Sequence, residues 1–199
     1  LEHGVTIVGS VPTRHPSFEL PVNLATIARA DGEQHHYAKI HPFSFAQEDQ
    51  HYSPGREFCT ITIDGVRCTF FICYDLRFAD EFWQTASDTD CYVIVANWPA
   101  ARQVHWDALL RARAIENQAY VVAVNRTGKD GNGLAYLGGS AVVDFLGQAL
   151  CDLDTPCGAA TVTLQTDPLR KFRERYPFHS DADSFELITE AESSDSRNG

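Results

Sequence analysis

The segment from residue 59 to residue 96 constrains the fold of this 199-residue chain more than any other. In it, Asp64-Gly65 separates two short apolar runs, and an Asp-Gly pair in that setting is a strong signal for a β-hairpin. The second run, Val66–Ile72, is followed by a polar turn, a helical stretch to about Ser87 and an apolar run, Cys91–Ala96. Strand, turn, helix and strand in this order predict an α/β fold.

Other segments extend the α/β pattern on both sides. Apolar residues at three- and four-residue spacing predict one long helix between Pro99 and Gln118. Runs rich in β-branched residues and bounded by turn residues predict strands at Val5–Val11, Leu24–Ala28, Cys59–Ile63, Tyr120–Val124, Ser140–Asp144 and Ala159–Leu164. A loop is predicted at Gly128–Gly133. We predict one domain over residues 1–185, followed by an acidic, serine-containing disordered tail over residues 186–199.

Composition excludes several classes of partner. The formal net charge of −11, without a run of basic residues, argues against a nucleic-acid-binding surface, which needs clustered cations. No apolar run approaches the roughly 18 residues that span a bilayer, and no signal peptide is visible. The six cysteines form no Cys-x-x-Cys pair and no metal-type Cys/His spacing, which indicates free thiols in a reducing, cytoplasmic compartment. We therefore expect no metal, nucleic-acid or membrane partner.

Cys73 lies where a predicted strand gives way to a helix, in Phe71-Ile-Cys-Tyr-Asp-Leu-Arg-Phe78. A thiol on such a turn projects into a cleft, and a neighbouring helix N-terminus is expected to lower its pKa. The backbone amide of Tyr74 is a candidate oxyanion donor. A cysteine that ends a buried strand is more often structural, and we assign that role to Cys59, Cys68 and Cys91.

Lys39 lies among apolar and aromatic residues in Tyr37-Ala-Lys-Ile-His-Pro-Phe43. A lysine ammonium near a nucleophile can hold a thiolate and stabilise an oxyanion, although an isolated lysine is more often simply solvated. Glu48 follows nine residues later, in a polar run that by itself indicates an exposed loop.

Asn97 and Trp98 follow the predicted strand Cys91–Ala96, at the edge where α/β sheets present ligand-contacting side chains. Trp98 either forms the wall of a pocket or packs in the core. Arg113 and Glu116 are three residues apart on the predicted long helix, where they can form an ion pair.

Several short motifs occur together in a fixed order. They are Tyr-x-Lys-x-His (37–41), Cys-Tyr-Asp-Leu-Arg-Phe (73–78), Asn-Trp-Pro (97–99), Arg-Ala-Ile-Glu-Asn-Gln (113–118), Gly-Leu-Ala-Tyr-Leu-Gly-Gly-Ser (133–140) and Asp-Phe-Leu-Gly (144–147). This series resembles the signature blocks of the nitrilase superfamily of carbon-nitrogen hydrolases, and the resemblance covers the chain from about Val5 to Phe185. The resemblance implies an αββα sandwich whose sheets pair in a homodimer or larger homo-oligomer.

The resemblance also implies roles for individual residues. It makes Cys73 the nucleophile and Lys39 its assisting cation, with Lys39 and the Tyr74 amide as oxyanion donors. Glu48 matches an additional pocket carboxylate that positions the reacting groups, and His41 and Asp75 are expected to shape the two loops. Four residues are predicted to contact the substrate: Asn97, Trp98, Arg77 and Tyr136.

The general-base glutamate of the family is expected before the strand that matches Val5–Val11. No glutamate of this sequence has the matching context, and Glu2 and Glu19 are candidates by residue type alone. We therefore expect a hydrolase domain that is incomplete at its N-terminus.

Within the superfamily, the Cys-Tyr-Asp-Leu-Arg-Phe, Asn-Trp-Pro and His105-Trp106 motifs resemble the omega-amidase branch. That branch removes the terminal amide of 2-oxo dicarboxylic acid monoamides. The carboxylate of such a substrate could be bound by Arg77, Arg102 or Arg113. The alternatives are a hydrolase of N-carbamoyl or other small aliphatic amides, and a non-catalytic relative that binds a small acid or a partner.

Overall fold

The computed structural model describes residues 3–153 and 158–181. The strands in these residues are β1 (Ile7–Thr13), β2 (Val22–Ala28), β3 (Gln34–Ala38), β4 (Thr60–Ile63), β5 (Val66–Ile72), β6 (Cys91–Ala96), β7 (Tyr120–Asn125), β8 (Thr127–Lys129), β9 (Ala135–Leu137), β10 (Ser140–Val143) and β11 (Ala149–Leu153). The α-helices are α1 (Ala79–Thr85), α2 (Gln103–Glu116) and α3 (Thr166–Arg175). The predicted tail, residues 186–199, lies outside the described residues.

Two sheets form the body of the molecule. The larger has the strand order β11-β10-β7-β6-β5-β4, in which β5, β6 and β7 are parallel and their outer neighbours are antiparallel. The smaller is an antiparallel sheet of β1, β2 and β3, and its strands β1 and β2 lie against β6 and β5. With helices α1 and α2 packed beside the larger sheet, this is the α/β sandwich that the motifs predict.

The centre of the larger sheet supplies most of the core. Strand β5 is buried along most of its length, and Phe71 packs against Phe82 of α1 at a ring-centroid distance of 4.3 Å. Trp106 of α2 is fully buried and packs against Trp98, with a distance of 5.5 Å between the ring centroids. Because parallel strands end at the same edge, the residues that follow β5 and β6 are brought together at the carboxyl edge of this sheet.

The predicted hairpin is present, and its turn explains the sequence. Asp64 and Gly65 both have positive φ values, +48° and +82°, which is the geometry that favours an Asp-Gly pair between two twisted strands. The predicted long helix begins later than Pro99, because a 3₁₀ turn, Ala100–Arg102, precedes α2. The predicted loop Gly128–Gly133 joins β8 and β9, which form a small hairpin.

Three predictions about the elements were wrong or incomplete. The segment 159–164 forms no strand; instead β11 pairs with β10, because the turn at Gly147 returns the chain to that open edge. Strand β3 was not predicted because its sequence is polar, and its single fully buried side chain is Tyr37. Helix α3 was not predicted because it presents only Leu169 and Phe172 to the core.

Candidate active site

Cys73 has a backbone conformation that non-glycine residues seldom adopt. Its φ is +49°, at the point where β5 ends and a five-residue 3₁₀ turn, Cys73–Arg77, begins. Such a conformation costs on the order of 1–3 kcal/mol and persists only where its surroundings hold it. Strained residues of this kind are concentrated at functional sites, and here the strained residue carries a thiol.

The thiol of Cys73 is partly buried between the loops of the carboxyl edge. It donates a weak hydrogen bond to the backbone oxygen of Asn97, with an Sγ–O distance of 3.7 Å. Burial raises the pKa of Cys73 above its ordinary value, and the positive charge of Lys39 only partly offsets this effect. The expectation of a lowered pKa was therefore wrong, since burial outweighs the favourable charges. The thiol is mainly protonated near pH 7 and needs a proton acceptor to react.

Lys39 is buried, with 3% of its surface exposed, and its Nζ lies 2.5 Å from Glu48 Oε2. Glu48 also accepts hydrogen bonds from the backbone amide of Phe43 at 2.7 Å and from the side chain of Asn23 at 3.2 Å. Burial by itself raises the pKa of Glu48, but Lys39 and these donors outweigh it, so that the pKa is lowered. The pair therefore holds the Lys39 side chain near enough to Cys73 to act on its thiol.

Asp75 connects the Lys39 segment to the Cys73 turn. Its carboxylate is fully buried and accepts hydrogen bonds from Tyr37 Oη at 2.9 Å, the His41 backbone amide at 2.9 Å and the Ile72 backbone amide at 3.0 Å. The expectation that Asp75 and His41 shape these two loops agrees with these contacts.

A second buried carboxylate, Glu81, lies on the other side of His41. The imidazole of His41 stacks on Phe78 at 3.5 Å, and its Nδ1 is 3.2 Å from Glu81 and 3.4 Å from Asp75. Burial raises the pKa of Glu81 to about 7. Burial opposes protonation of His41, but the two carboxylates outweigh it and raise the pKa of the imidazole.

The donor atoms of His41, Asp75 and Glu81 lie within 4.8 Å of one another, a spacing that a cation could use. Both oxygens of Asp75 already accept hydrogen bonds from the protein, which leaves little capacity for a metal ion. We therefore interpret this cluster as an ion-pairing group, in which the His41 imidazole lies between the carboxylates of Asp75 and Glu81.

The structure distributes the predicted substrate-contacting residues differently. The side chain of Asn97 is exposed, while Trp98 is 1% exposed and donates from Nε1 to the backbone oxygen of Arg102 at 2.8 Å. Core packing thus describes Trp98 better than a pocket wall does. Tyr136 is 9% exposed and donates to Asp130 at 2.9 Å. Burial, and then the neighbouring Asp130 carboxylate, raise the pKa of Tyr136.

Of the three candidate arginines, Arg113 is already occupied. Its guanidinium donates to the backbone oxygen of Leu76 at 2.9 and 3.1 Å and pairs with Glu116 at 2.9 Å, which confirms the predicted ion pair. The guanidinium of Arg77 lies 4.9 Å from the ring centroid of Trp98, and that of Arg102 lies 5.3 Å from that of Phe43. Within the described part of the chain, neither forms an ion pair with a carboxylate.

Glu19, a candidate base by residue type, lies elsewhere. It lines an open cavity of about 650 Å³ together with His15, Phe18, His36, Arg56 and Phe58. That cavity does not include Cys73 or Lys39. Glu2 lies outside the described residues.

Two site residues escaped the sequence analysis. Asn125 accepts from the backbone amide of Trp98 at 2.7 Å and donates to the backbone oxygens of Trp98 and Gly138 at 3.1 and 2.8 Å. Asn23 donates to Glu48 at 3.2 Å. In the sequence, the only indication of a role for Asn125 was its place at the end of an apolar strand, and nothing indicated a role for Asn23.

Comparison with known proteins agrees with this geometry. The family model described as carbon-nitrogen hydrolase matches residues 2–174. The omega-amidase YafV of Escherichia coli K12 is 41% identical over 91% of this chain and 70% of its own length. A 2-oxoglutaramate amidase of Bacillus subtilis is 35% identical, over 90% of this chain and 70% of its own.

Among solved structures, the carbon-nitrogen hydrolase superfamily protein XC1258 of Xanthomonas campestris superposes with a TM-score of 0.87. It is 41% identical, over 93% of this chain and 72% of that protein, and it carries an arsenic adduct in its active site. None of the helices in the described residues has the length and apolar character that crossing a membrane requires. The chain therefore belongs to the carbon-nitrogen hydrolase family of the nitrilase superfamily and is an amide-hydrolysing enzyme.

Proposed function

We propose that this chain is an omega-amidase, which hydrolyses the terminal carboxamide of 2-oxo dicarboxylic acid monoamides through a Cys73 thioester. The observation that supports it best is the buried Lys39–Glu48 pair beside a thiol held at φ +49°. The names of its relatives, omega-amidase and 2-oxoglutaramate amidase, support the substrate class.

In the proposed first step, the Cys73 sulfur attacks the amide carbon as its proton leaves. The carbonyl π electrons move to oxygen, and Lys39 and the backbone amide of Tyr74 stabilise the negative charge. The amide nitrogen of the tetrahedral intermediate then takes up the proton that left the thiol and departs as ammonia, and the acyl group remains on sulfur. Water adds to the thioester, releasing the carboxylic acid and restoring the thiol.

Glu48 is assigned to holding the Lys39 side chain in place. Its oxygens accept hydrogen bonds from Lys39, Phe43 and Asn23, which leaves it poorly placed to take the thiol proton. The resemblance predicts a further glutamate for that step, and none of the described residues is assigned to it. General-base catalysis of this kind contributes roughly 10²- to 10⁴-fold to the rate.

Substrate recognition is assigned to the loops around the thiol. Arg77 supplies a cation for the free carboxylate, held against the face of Trp98 and against His105 Nδ1 at 3.0 Å. Asn97 is exposed and its backbone oxygen accepts from the sulfur, and Tyr136 is assigned to substrate contact as the sequence motif predicts. A guanidinium stacked on an aromatic ring is suited to binding a carboxylate, and the Arg77 donors that do not face His105 remain available for it.

We also propose that the enzyme works in the cytoplasm as a homodimer or larger homo-oligomer, without a metal or organic cofactor. The family resemblance supports the oligomer, and the free thiols, which include the buried Cys68 and Cys91, support a reducing compartment. Light scattering of the purified protein tests the oligomer: a mass of one chain, 22.1 kDa, contradicts it.

The decisive experiment measures ammonia release from 2-oxoglutaramate by the purified chain, by Cys73→Ala and by the matched variant Cys91→Ala. We expect activity in the wild type and in Cys91→Ala, and none in Cys73→Ala. Faster release from N-carbamoyl or neutral aliphatic amides contradicts the substrate class. No release from any amide by folded protein contradicts the enzymatic proposal for this chain and favours a binding relative.

A further inference from the structure

We propose that Asp75 is a positioning residue that sets the distance between Lys39 and Cys73. The inference rests on the roles proposed for Lys39 and Cys73. Asp75 itself touches neither reacting group. It accepts three hydrogen bonds of 2.9–3.0 Å, from the Tyr37 hydroxyl and from the backbone amides of His41 and Ile72, which lie close in sequence to Lys39 and Cys73.

On the lysine side, Asp75 holds the chain at two points that bracket Lys39. Tyr37, two residues before it, donates its hydroxyl hydrogen to Asp75 Oδ2, and His41, two residues after it, donates its backbone amide to Asp75 Oδ1. The Tyr37 hydroxyl also accepts a hydrogen bond from the amide of Ile40 at 3.4 Å. The backbone of Lys39 is thus held from both sides, and Glu48 then holds its ammonium.

On the cysteine side, Asp75 closes the turn that carries the thiol. It accepts from the backbone amide of Ile72 at 3.0 Å, so that a bond spans the residue with φ +49°. The left-handed conformation costs free energy, and this buried bond is one of the contacts that keep it populated. The same carboxylate therefore holds the Cys73 turn and the Lys39 segment in a fixed position relative to each other.

The chemistry requires a carboxylate and not an amide at this place. Three donors converge on the two oxygens of Asp75, which an ionised carboxylate can satisfy because it accepts only. An asparagine has one acceptor oxygen, so its NH₂ group must face at least one of the donors. Asp75→Asn preserves the size of the side chain but replaces one hydrogen bond to an oxygen with a repulsive contact between two N–H or O–H donors. We therefore expect the distance between Lys39 and Cys73 to change.

The test follows the rate of Cys73 alkylation by iodoacetamide as a function of pH, beside kcat/KM for 2-oxoglutaramate. Lys39 lowers the pKa of the Cys73 thiol, so its displacement is expected to move the alkylation midpoint upward by about one pH unit in Asp75→Asn. We expect kcat/KM to fall at least about tenfold. Tyr37→Phe, which removes one of the three bonds, is expected to move both quantities in the same direction by less.

Tyr92→Phe is the matched control. Its hydroxyl is also buried, and it donates to the backbone oxygen of Phe82 at 2.6 Å, away from Cys73 and Lys39. This variant is expected to lower the thermal midpoint while leaving the alkylation midpoint unchanged.

The proposal is overturned if Asp75→Asn lowers only the thermal midpoint, with alkylation and kcat/KM of the folded protein as in the wild type. If Asp75→Asn fails to fold, Tyr37→Phe decides. A shift of its alkylation midpoint beyond that of Tyr92→Phe supports the positioning role, and an unchanged midpoint overturns it. Alkylation needs no amide substrate, so failure of the proposed function, seen as a wild type without amidase activity, is distinguished from failure of this inference.

Discussion

The larger sheet places cysteines in two very different settings. Cys68 and Cys91 are paired residues in the register of the neighbouring parallel strands β5 and β6, and both are buried. A hydrogen bond shared with Cys68 and complete burial raise the pKa of Cys91 well above its ordinary value. Cys73 terminates the same strand β5, but it lies on a left-handed turn beside Lys39.

The difference lies in the surroundings, since the side chain is the same. The strand thiols have extended backbone and apolar neighbours, so they act as small core residues. Cys73 has a conformation that aims its sulfur at the carboxyl edge, with a buried ammonium close by. Position in the sheet, together with one lysine, distinguishes the thiol that we propose as the nucleophile from the two core thiols.

The largest expected effect separates the two settings by activity. Cys73→Ala should lower amidase kcat by about 10⁴-fold or more, because the covalent step loses its nucleophile. Cys91→Ala should change kcat less than about threefold, since a core truncation acts on stability instead. Steady-state ammonia release at a temperature where both variants are folded measures this. Comparable losses in the two variants contradict the comparison.

The next effect concerns the ammonium. Lys39→Met should lower kcat/KM by about 10²- to 10³-fold, because a buried oxyanion donor is lost. It should also destabilise the fold, since Glu48 then remains buried without its partner.

The double variant Lys39→Met/Glu48→Gln is the control for this second effect. It removes the uncompensated charge, so the free energy of unfolding should recover while kcat/KM stays low. Recovery of activity together with stability would assign Lys39 a purely structural role.

A smaller effect is the difference in stability between the glycine and alanine variants, which should have opposite signs at Cys73 and at Cys91. At Cys73 the φ of +49° favours glycine, so Cys73→Gly should be about 1 kcal/mol more stable than Cys73→Ala. At Cys91, within a strand, Cys91→Gly should be about 0.5–1 kcal/mol less stable than Cys91→Ala. Urea unfolding of the four variants gives both differences, and the same sign at both positions contradicts the assigned strain.

The smallest effect compares carboxyls near the two kinds of thiol. The pKa of Glu81 is raised to about 7, so its ionisation costs stability as pH rises from about 4.5 to 7. Near Cys91, burial opposes ionisation of Asp90, but Arg67 and Arg173 outweigh it and lower its pKa. Asp90 therefore contributes stability above its ordinary pKa of 3.8 that is lost as pH falls through the lowered value.

Glu81→Gln should therefore gain stability relative to the wild type between pH 5 and pH 7, by about 2 °C or more in thermal midpoint. Asp90→Asn should lose stability throughout that range. Thermal melts at both pH values measure this. A Glu81→Gln midpoint that keeps the same offset from the wild type at both values contradicts the raised pKa.

The sequence predicted those features whose causes are local. The Asp64-Gly65 hairpin follows from the φ values that its turn requires, and the motifs around Lys39 and Cys73 identify the family. The sign of the Cys73 pKa shift could not be predicted, because it depends on burial by loops distant in sequence. For the same reason the sequence could not tell which of Arg113 and Arg77 is available for a substrate carboxylate. The structure shows that Arg113 donates to the backbone oxygen of Leu76, which is 37 residues away in sequence.

Asn125 has a consequence for enzyme engineering. Its side-chain amide forms hydrogen bonds with the backbone amide and backbone oxygen of Trp98 and with the backbone oxygen of Gly138. One side chain therefore links the Trp98 loop to the Gly138 loop. A loop grafted from another amidase to alter specificity must therefore keep that asparagine and both of its loop partners in register. Exchanging the Trp98 loop and the Gly138 loop as one cassette respects this linkage, whereas exchanging either alone breaks it.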